Sequence, residues 1–306
     1  MLAANSRGIN MALTILDGSI GQELVQRSNE EPTGLWSTEV LIRTPDLVLD
    51  VHADYFAAGA DIATSNSYAV HRDRLVRFGI EEKFETLLNA AGQIAVKARD
   101  AHGSGQVAGS IGPAGWSYRP SLAPAEEQGA EIYAEVVQIL SSHADFLLFE
   151  TMSSVLEAKS ALLGASTANK PVWLAVSVDD TDGSKLRSGE PVMDVVHLAR
   201  EFQPDALLIN CSIPEAVSHA LEVISCTGLH EIKLGAYANG FKRISEEFVT
   251  GDNAVVDSLE AREDLSPATY VDFCSKWIQS GVEIIGGCCE IGPAHIKAMA
   301  EQFRPT

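Results

Sequence analysis

The segment Gly281-Val282-Glu283-Ile284-Ile285-Gly286-Gly287-Cys288-Cys289, with Gly292-Pro293 just beyond it, reads as one βα unit. Val282 to Ile285 is a short β-branched run that stops on glycines. Pro293 then opens a helix-compatible stretch to Gln302, where its missing N–H is harmless in a first turn. Working back along the chain, seven more apolar runs have this form: Leu13 to Leu16, Asp61 to Thr64, Val107 to Ile111, Asp145 to Phe149, Val172 to Val178, Ala206 to Ile209 and Ile232 to Tyr237. Helix-compatible segments follow them at Pro45 to Ala58, Glu81 to Ala101, Ala125 to Ser142, Ser154 to Ser166, Val192 to Glu201, Pro214 to Ser225 and Pro267 to Gln279. Such alternation implies a parallel sheet. Eight repeats predict a single (β/α)8 TIM barrel over residues 1–306, with a doubly wound open sheet as the competing architecture.

Composition narrows the class of function. The 306 residues are 46% hydrophobic, enough for a large core, and their formal charge of −20 repels nucleic-acid phosphates and anionic lipid. No stretch approaches the roughly 18 to 20 apolar residues of a membrane span. Met1 to Asn10 also lacks a basic region followed by an apolar run. The expectation is a soluble cytoplasmic protein that binds neither nucleic acid nor membrane. Five cysteines are too few for a disulfide scaffold, so the thiols are expected to be reduced. Nothing in the sequence assigns an oligomeric state.

In a βα barrel, reactive groups belong at the carboxyl ends of the strands. Asp17-Gly18-Ser19 follows the first run, Thr64 to Tyr68 the second, Gly109 to Pro113 closes the third, and Glu150-Thr151 the fourth. Asn210-Cys211 closes the sixth run and Gly286 to Cys289 the eighth. Cys211 with Cys288 and Cys289 would make a three-sulfur zinc site at the barrel mouth with one coordination position open, the mark of a catalytic metal. By spacing alone they could equally be small buried hydrophobes, the reading that suits Cys226 and Cys274 inside amphipathic helical segments.

Further blocks give the chain a family likeness. Leu35-Trp36-Ser37, Ala58 to Tyr68, Gly109 to Pro113, Glu150-Thr151, Ser188-Gly189, Asn210-Cys211, and the tail from Trp277 through Gly286-Gly287-Cys288-Cys289 to Pro293, His295 and Ile296 together resemble the homocysteine S-methyltransferase family. The likeness implies a barrel whose three cysteines hold Zn2+ and whose fourth position takes the substrate thiol. It implies that Glu150 accepts the α-amino group of homocysteine, and that backbone N–H groups near Asp17 and Gly18 hold its carboxylate. Trp36 and Tyr68 match aromatics near a cationic, onium methyl donor, and Asp17 adds negative charge. The favoured donors are S-methylmethionine and S-adenosylmethionine, with a betaine as the other candidate, because the chain lacks the extra C-terminal segment of betaine-using members. Cobalamin-binding modules are also missing, so no corrinoid is expected. Transfer to another small thiol or selenol, and a zinc- or redox-sensing barrel without turnover, are the competing functions.

Three places depart from the family pattern. Ser19 stands where a second glycine is usual after Asp17-Gly18, Ala238 replaces a proline before Asn239-Gly240, and Glu290-Ile291 follows the paired cysteines. His52, His71 and His295 are read as packing or surface residues, and Gly18 to Gly21 lacks the third glycine of a dinucleotide fingerprint. Asn239 to Leu265, rich in acids, reads as a solvated insertion, with a lid over the mouth as the alternative.

Overall fold

The computed structural model describes residues 13–28, 33–229, 231–244 and 259–304. The strands are β1 (Thr14–Ile15), β2 (Ile62–Thr64), β3 (Gln106–Ile111), β4 (Phe146–Met152), β5 (Val172–Val176), β6 (Ala206–Asn210), β7 (Lys233–Tyr237) and β8 (Ile284–Ile285). All neighbours pair in parallel in the order β1-β8-β7-β6-β5-β4-β3-β2, and a parallel bridge between Leu16 and Ile62 brings the two ends together. The eight runs read from the sequence are these eight strands, and the sheet is a (β/α)8 barrel rather than an open doubly wound sheet.

Around it lie α1 (Ile20–Ser28), α2 (Ser37–Arg43), α3 (Pro45–Ala58), α4 (Arg72–Leu75), α5 (Phe84–His102), α6 (Glu126–Leu140), α7 (Val155–Ala165), α8 (Val192–Phe202), α9 (Pro214–Ser225), α10 (Pro267–Gln279) and α11 (Pro293–Phe303). Prolines at the first helical position start α3, α9, α10 and α11 where the sequence places them. Ser154 caps α7 by accepting from the Glu157 N–H, and the Glu157 carboxylate reaches back to the Ser153 N–H at 2.6 Å, a capping box. Helices α1, α2 and α4 were not anticipated. They are short, and they sit in the two connections that build one wall of the barrel mouth. No helix among the described residues is long and apolar enough to cross a membrane.

Strand parity sorts the side chains. In β4, Leu147 and Phe149 pack outward among the helices, whereas Phe146 and Leu148 join Trp173, Ala175, Ala206 and Leu208 in a separate cluster filling the barrel. The next inward positions are Ser110 on β3, Glu150 on β4 and Asn210 on β6, all polar. At the opposite end, Asp61, Asp145 and Asp205 each accept a backbone N–H from the neighbouring strand, at Ile15, Val107 and Val172. The apolar floor and these clasps leave the carboxyl ends of the strands as the polar end.

The acidic connection is pinned at both ends. Phe241 and Ala261 form an antiparallel bridge, and the Arg262 N–H donates to Gly240 at 2.8 Å. Its acidic middle, with Glu246, Glu247, Asp252 and Asp257, lies outside the described residues.

Candidate active site

Cys211 leaves β6 with φ of 50°, a left-handed turn uncommon outside glycine. Without it, parity would send the side chain outward with Ile209. The Cys288-Cys289 pair is set by backbone bonds on either side. Cys288 N–H donates to Ala238 at 3.0 Å, and Cys289 C=O accepts from Gly240 at 2.8 Å. The three Sγ atoms lie within 4.8 Å of one another and can hold a metal ion. The pair also requires close backbone approach, since a Cβ on Gly287 would stand 2.2 Å from the Ile291 side chain.

The cluster is polarised. Burial opposes charge on Cys211, but hydrogen bonds from Cys288, Cys289 and Tyr118 hold its thiol well below the usual range. Those bonds to Cys211 push the Cys288 and Cys289 thiols well up. The Tyr118 hydroxyl lies 2.9 Å from Cys211 Sγ, and the Arg187 guanidinium covers the Tyr118 ring at 4.8 Å. Arg187 also donates to the Cys211 C=O at 3.2 Å and pairs with Asp180, both side chains being buried.

Glu150 projects into the pocket that the cysteines line. Burial pushes its pKa up to about 7, against hydrogen bonds donated by Ser110 and, at 3.0 Å, by Tyr237. The following residue, Thr151, is left-handed at φ 64°, and the β4–β5 register shifts there. Asn210 straps this irregular turn to β6, accepting from the Thr151 N–H and donating to Thr151 Oγ1, both at 3.0 Å.

Asp17, Gly18 and Ser19 line the same pocket. Both oxygens of Asp17 are engaged by Thr64, whose N–H donates at 2.6 Å and whose hydroxyl donates at 2.9 Å, so Asp17 ties the ends of β1 and β2. Its carboxyl is held well above the usual range by burial. The Ser19 N–H is committed to Ile291 C=O at 3.0 Å, whereas the Gly18 N–H has no partner among the described residues. Trp36 and Tyr68 form a wall, edge to face at 6.0 Å, with the indole Nε1 buried and unpartnered. The Tyr68 hydroxyl meets Ser117 at 2.7 Å.

Other sequence expectations resolve plainly. His52 and His71 are fully buried, and burial lowers both to about 4. His295 Nε2 donates to the Leu265 C=O at 3.1 Å, outside the pocket. Cys274 is the buried helical cysteine expected, a neighbour of Met299, whereas Cys226, read as another, is exposed because it caps the end of α9 rather than lying on its packed face. Glu290, by the cysteines, exchanges hydrogen bonds with Gln22. The Ala238 N–H, which a proline would lack, donates to the Tyr270 hydroxyl at 3.0 Å. Sequence reading missed Arg74, Trp116, Ser117 and Tyr118 on the pocket wall, and Tyr237 beneath it. The strand-end rule does point to the connection after Pro113, where two of these aromatics and Ser117 lie.

A closed parallel barrel with three thiols and a carboxylate gathered at its carboxyl end belongs to the class of barrel enzymes that build chemistry on strand-end loops. A family profile described as homocysteine S-methyltransferase matches residues 14–303, and the chain belongs to that family. It is 30% identical over 309 residues to a homocysteine S-methyltransferase of Escherichia coli (strain K12), covering 94% of each chain. A selenocysteine Se-methyltransferase of Brassica oleracea var. italica is 30% identical over 323 residues, covering 94% of this chain and 88% of its own. The metallated form of the Escherichia coli homocysteine methyltransferase MmuM superposes with a TM-score of 0.79 at 28% identity, over 96% of this chain and 97% of that one. The family and barrel expected from the sequence are thus both found, and methyl transfer to homocysteine is the activity that this membership carries.

Proposed function

We propose that the chain methylates homocysteine at sulfur, giving methionine, with zinc held by Cys211, Cys288 and Cys289. The observation that carries this reading is the convergence of three sulfurs in the pocket that also contains Glu150. Thiols without a carboxylate among them suit zinc better than a hard cation. When bound, zinc supplies the positive charge that keeps a substrate thiol deprotonated near neutral pH. Free thiols as ligands also need reducing surroundings, which fits the cytoplasm.

Glu150 accepts the substrate's ammonium group, steadied by Ser110 and Tyr237. The free Gly18 N–H offers a donor to its carboxylate, and Asp17, engaged with Thr64, fixes that amide in place and adds negative charge to the pocket. The incoming sulfur forms a bond to the methyl carbon as the donor's onium bond breaks, and the donor departs neutral. Trp36 and Tyr68 hold the onium cation by their π faces, worth about 0.5–2 kcal/mol per contact. A sulfonium such as S-methylmethionine or S-adenosylmethionine is the favoured donor, and a betaine is the other candidate. A selenol acceptor is the second reading, favoured by the similarity to a selenocysteine Se-methyltransferase. We read residues 1–306 as one homocysteine-binding domain, because the pocket draws on residues from Leu16 to Cys289.

The test is a donor and acceptor panel followed by methionine formation, with zinc measured per chain in the native protein and in Cys211→Ser. About one zinc per chain, lost together with activity in the variant, is expected. An active protein without zinc overturns the metal assignment, and preference for selenocysteine over homocysteine overturns the acceptor.

A further inference from the structure

The pocket expected to take a cationic donor contains a buried cation of its own. Arg74, on α4, is 9% exposed and lines the pocket beside Tyr68 and Trp116. Its guanidinium lies 5.8 Å from the centre of each of those two rings. Nε donates to Gly115 C=O and Nη2 to Pro113 C=O, both at 3.0 Å. Nη1 has no hydrogen-bond partner among the described residues, and no carboxylate lies within ion-pair distance of the group. The adjacent acid forms no ion pair with it: Asp73 Oδ2 accepts from the Gly115 N–H at 2.7 Å, and Asp73 Oδ1 is buried without a hydrogen-bond partner among the described residues. Buried charges are ordinarily paired, because desolvation is otherwise uncompensated. The other arginine pair buried near the site, Arg187 with Asp180, follows that rule.

An onium compound with no other charge would be repelled by Arg74, and low dielectric strengthens the repulsion. A donor that brings its own carboxylate converts that repulsion into a charge-assisted hydrogen bond. The layout permits both at once. Tyr68 meets both Trp36, at 6.0 Å, and the Arg74 guanidinium, at 5.8 Å, so an aromatic wall for the cation and a donor for the anion lie within one ring of each other.

We propose that Arg74 is a specificity-determining residue that binds a carboxylate of the methyl donor, restricting the enzyme to zwitterionic onium carboxylates. This rests on reading the pocket as that of an onium-dependent methyltransferase. Arg74 touches substrate without taking part in bond making, and its contribution is to donor recognition.

Binding can be read without turnover, through quenching of tryptophan fluorescence from Trp36 and Trp116 in the zinc-loaded protein. The probes are S-methylmethionine and (3-aminopropyl)dimethylsulfonium, which differ only by the carboxylate. The native protein should bind the first at least about tenfold more tightly. Arg74→Met should reduce that ratio to about twofold or less, by weakening S-methylmethionine and, with the repulsion gone, tightening the probe that lacks a carboxylate, and Arg74→Lys, which keeps the charge, should restore much of it. Equal weakening of both probes in a folded Arg74→Met protein, an unchanged ratio, or failure of the native protein to bind either probe overturns the proposal. Methionine formation by the native protein, measured separately, tests the methyl-transfer reading independently of these results.

Discussion

Replacing Tyr118 by phenylalanine removes one oxygen atom and leaves the ring in its place under the Arg187 guanidinium, 4.8 Å away. What disappears is the hydrogen bond to Cys211 Sγ, 2.9 Å long and buried. A hydrogen bond to a charged acceptor contributes about 1.5–3 kcal/mol, and a metal-bound thiolate, whose charge is partly shared, belongs at the lower end. At about 1.4 kcal/mol per tenfold, zinc should bind roughly tenfold more weakly, in line with the usual cost of losing a group that supports a metal ligand. The measurement is a zinc-chelator competition on native and Tyr118→Phe protein, with thermal unfolding of both to show that the fold persists. A folded variant whose zinc affinity stays within about twofold of the native value would refute the idea that this hydroxyl stabilises the Cys211 thiolate.

Three other outcomes are expected. Glu157, whose pKa burial pushes from 4.5 up to about 7, keeps a proton in the folded state that the unfolded chain has already released. It therefore lowers stability as pH rises from about 4.5 to 7, by up to about 3 kcal/mol, and adds no further slope above that. Glu157→Gln should flatten that slope in urea unfolding at pH 5, 6, 7 and 8, and parallel curves for the two proteins would count against it. Glu150→Gln should raise the KM for homocysteine by about ten- to hundredfold while leaving zinc content near native. Loss of zinc instead would make Glu150 a structural support of the cluster. Gly18→Ala places a Cβ 2.0 Å from the Ile291 carbonyl oxygen, a backbone atom that cannot rotate away. Unfolding should show a loss of about 1–3 kcal/mol, and an unchanged midpoint would mean that the turn yields.

The barrel was legible because each strand is buried on both faces and reads as an apolar run, and because proline and serine mark the helix starts that follow. Strand ends were less so. β4 continues to Met152, beyond the apolar run ending at Phe149, since Glu150 and Thr151 interrupt the pattern while the backbone carries on through a register shift. The short helices α1, α2 and α4 escaped because their segments are too brief for a helical period to show against the connections around them. Within the site, Cys211, Cys288, Cys289 and Glu150 could be placed because each follows a strand end, although only the left-handed turn at Cys211, which no pattern announces, brings its sulfur inward. Tyr118 and Arg74 could not. They lie on connections, and a connection's path is fixed by tertiary contacts such as Asp73 to the Gly115 N–H rather than by any periodicity.

The strap that Asn210 makes on Thr151 sets a length. One side chain joins the turn carrying Glu150 to the turn carrying Cys211 by two bonds of 3.0 Å, so the carboxylate and the sulfur cage cannot drift apart independently. On the proposed roles of Glu150 and the three cysteines, the pocket is a ruler laid along the acceptor, graduated from amino group to sulfur. On that reading an acceptor one methylene shorter, as selenocysteine is, meets one end less well than homocysteine, and chain length rather than thiol reactivity becomes the quantity the enzyme measures.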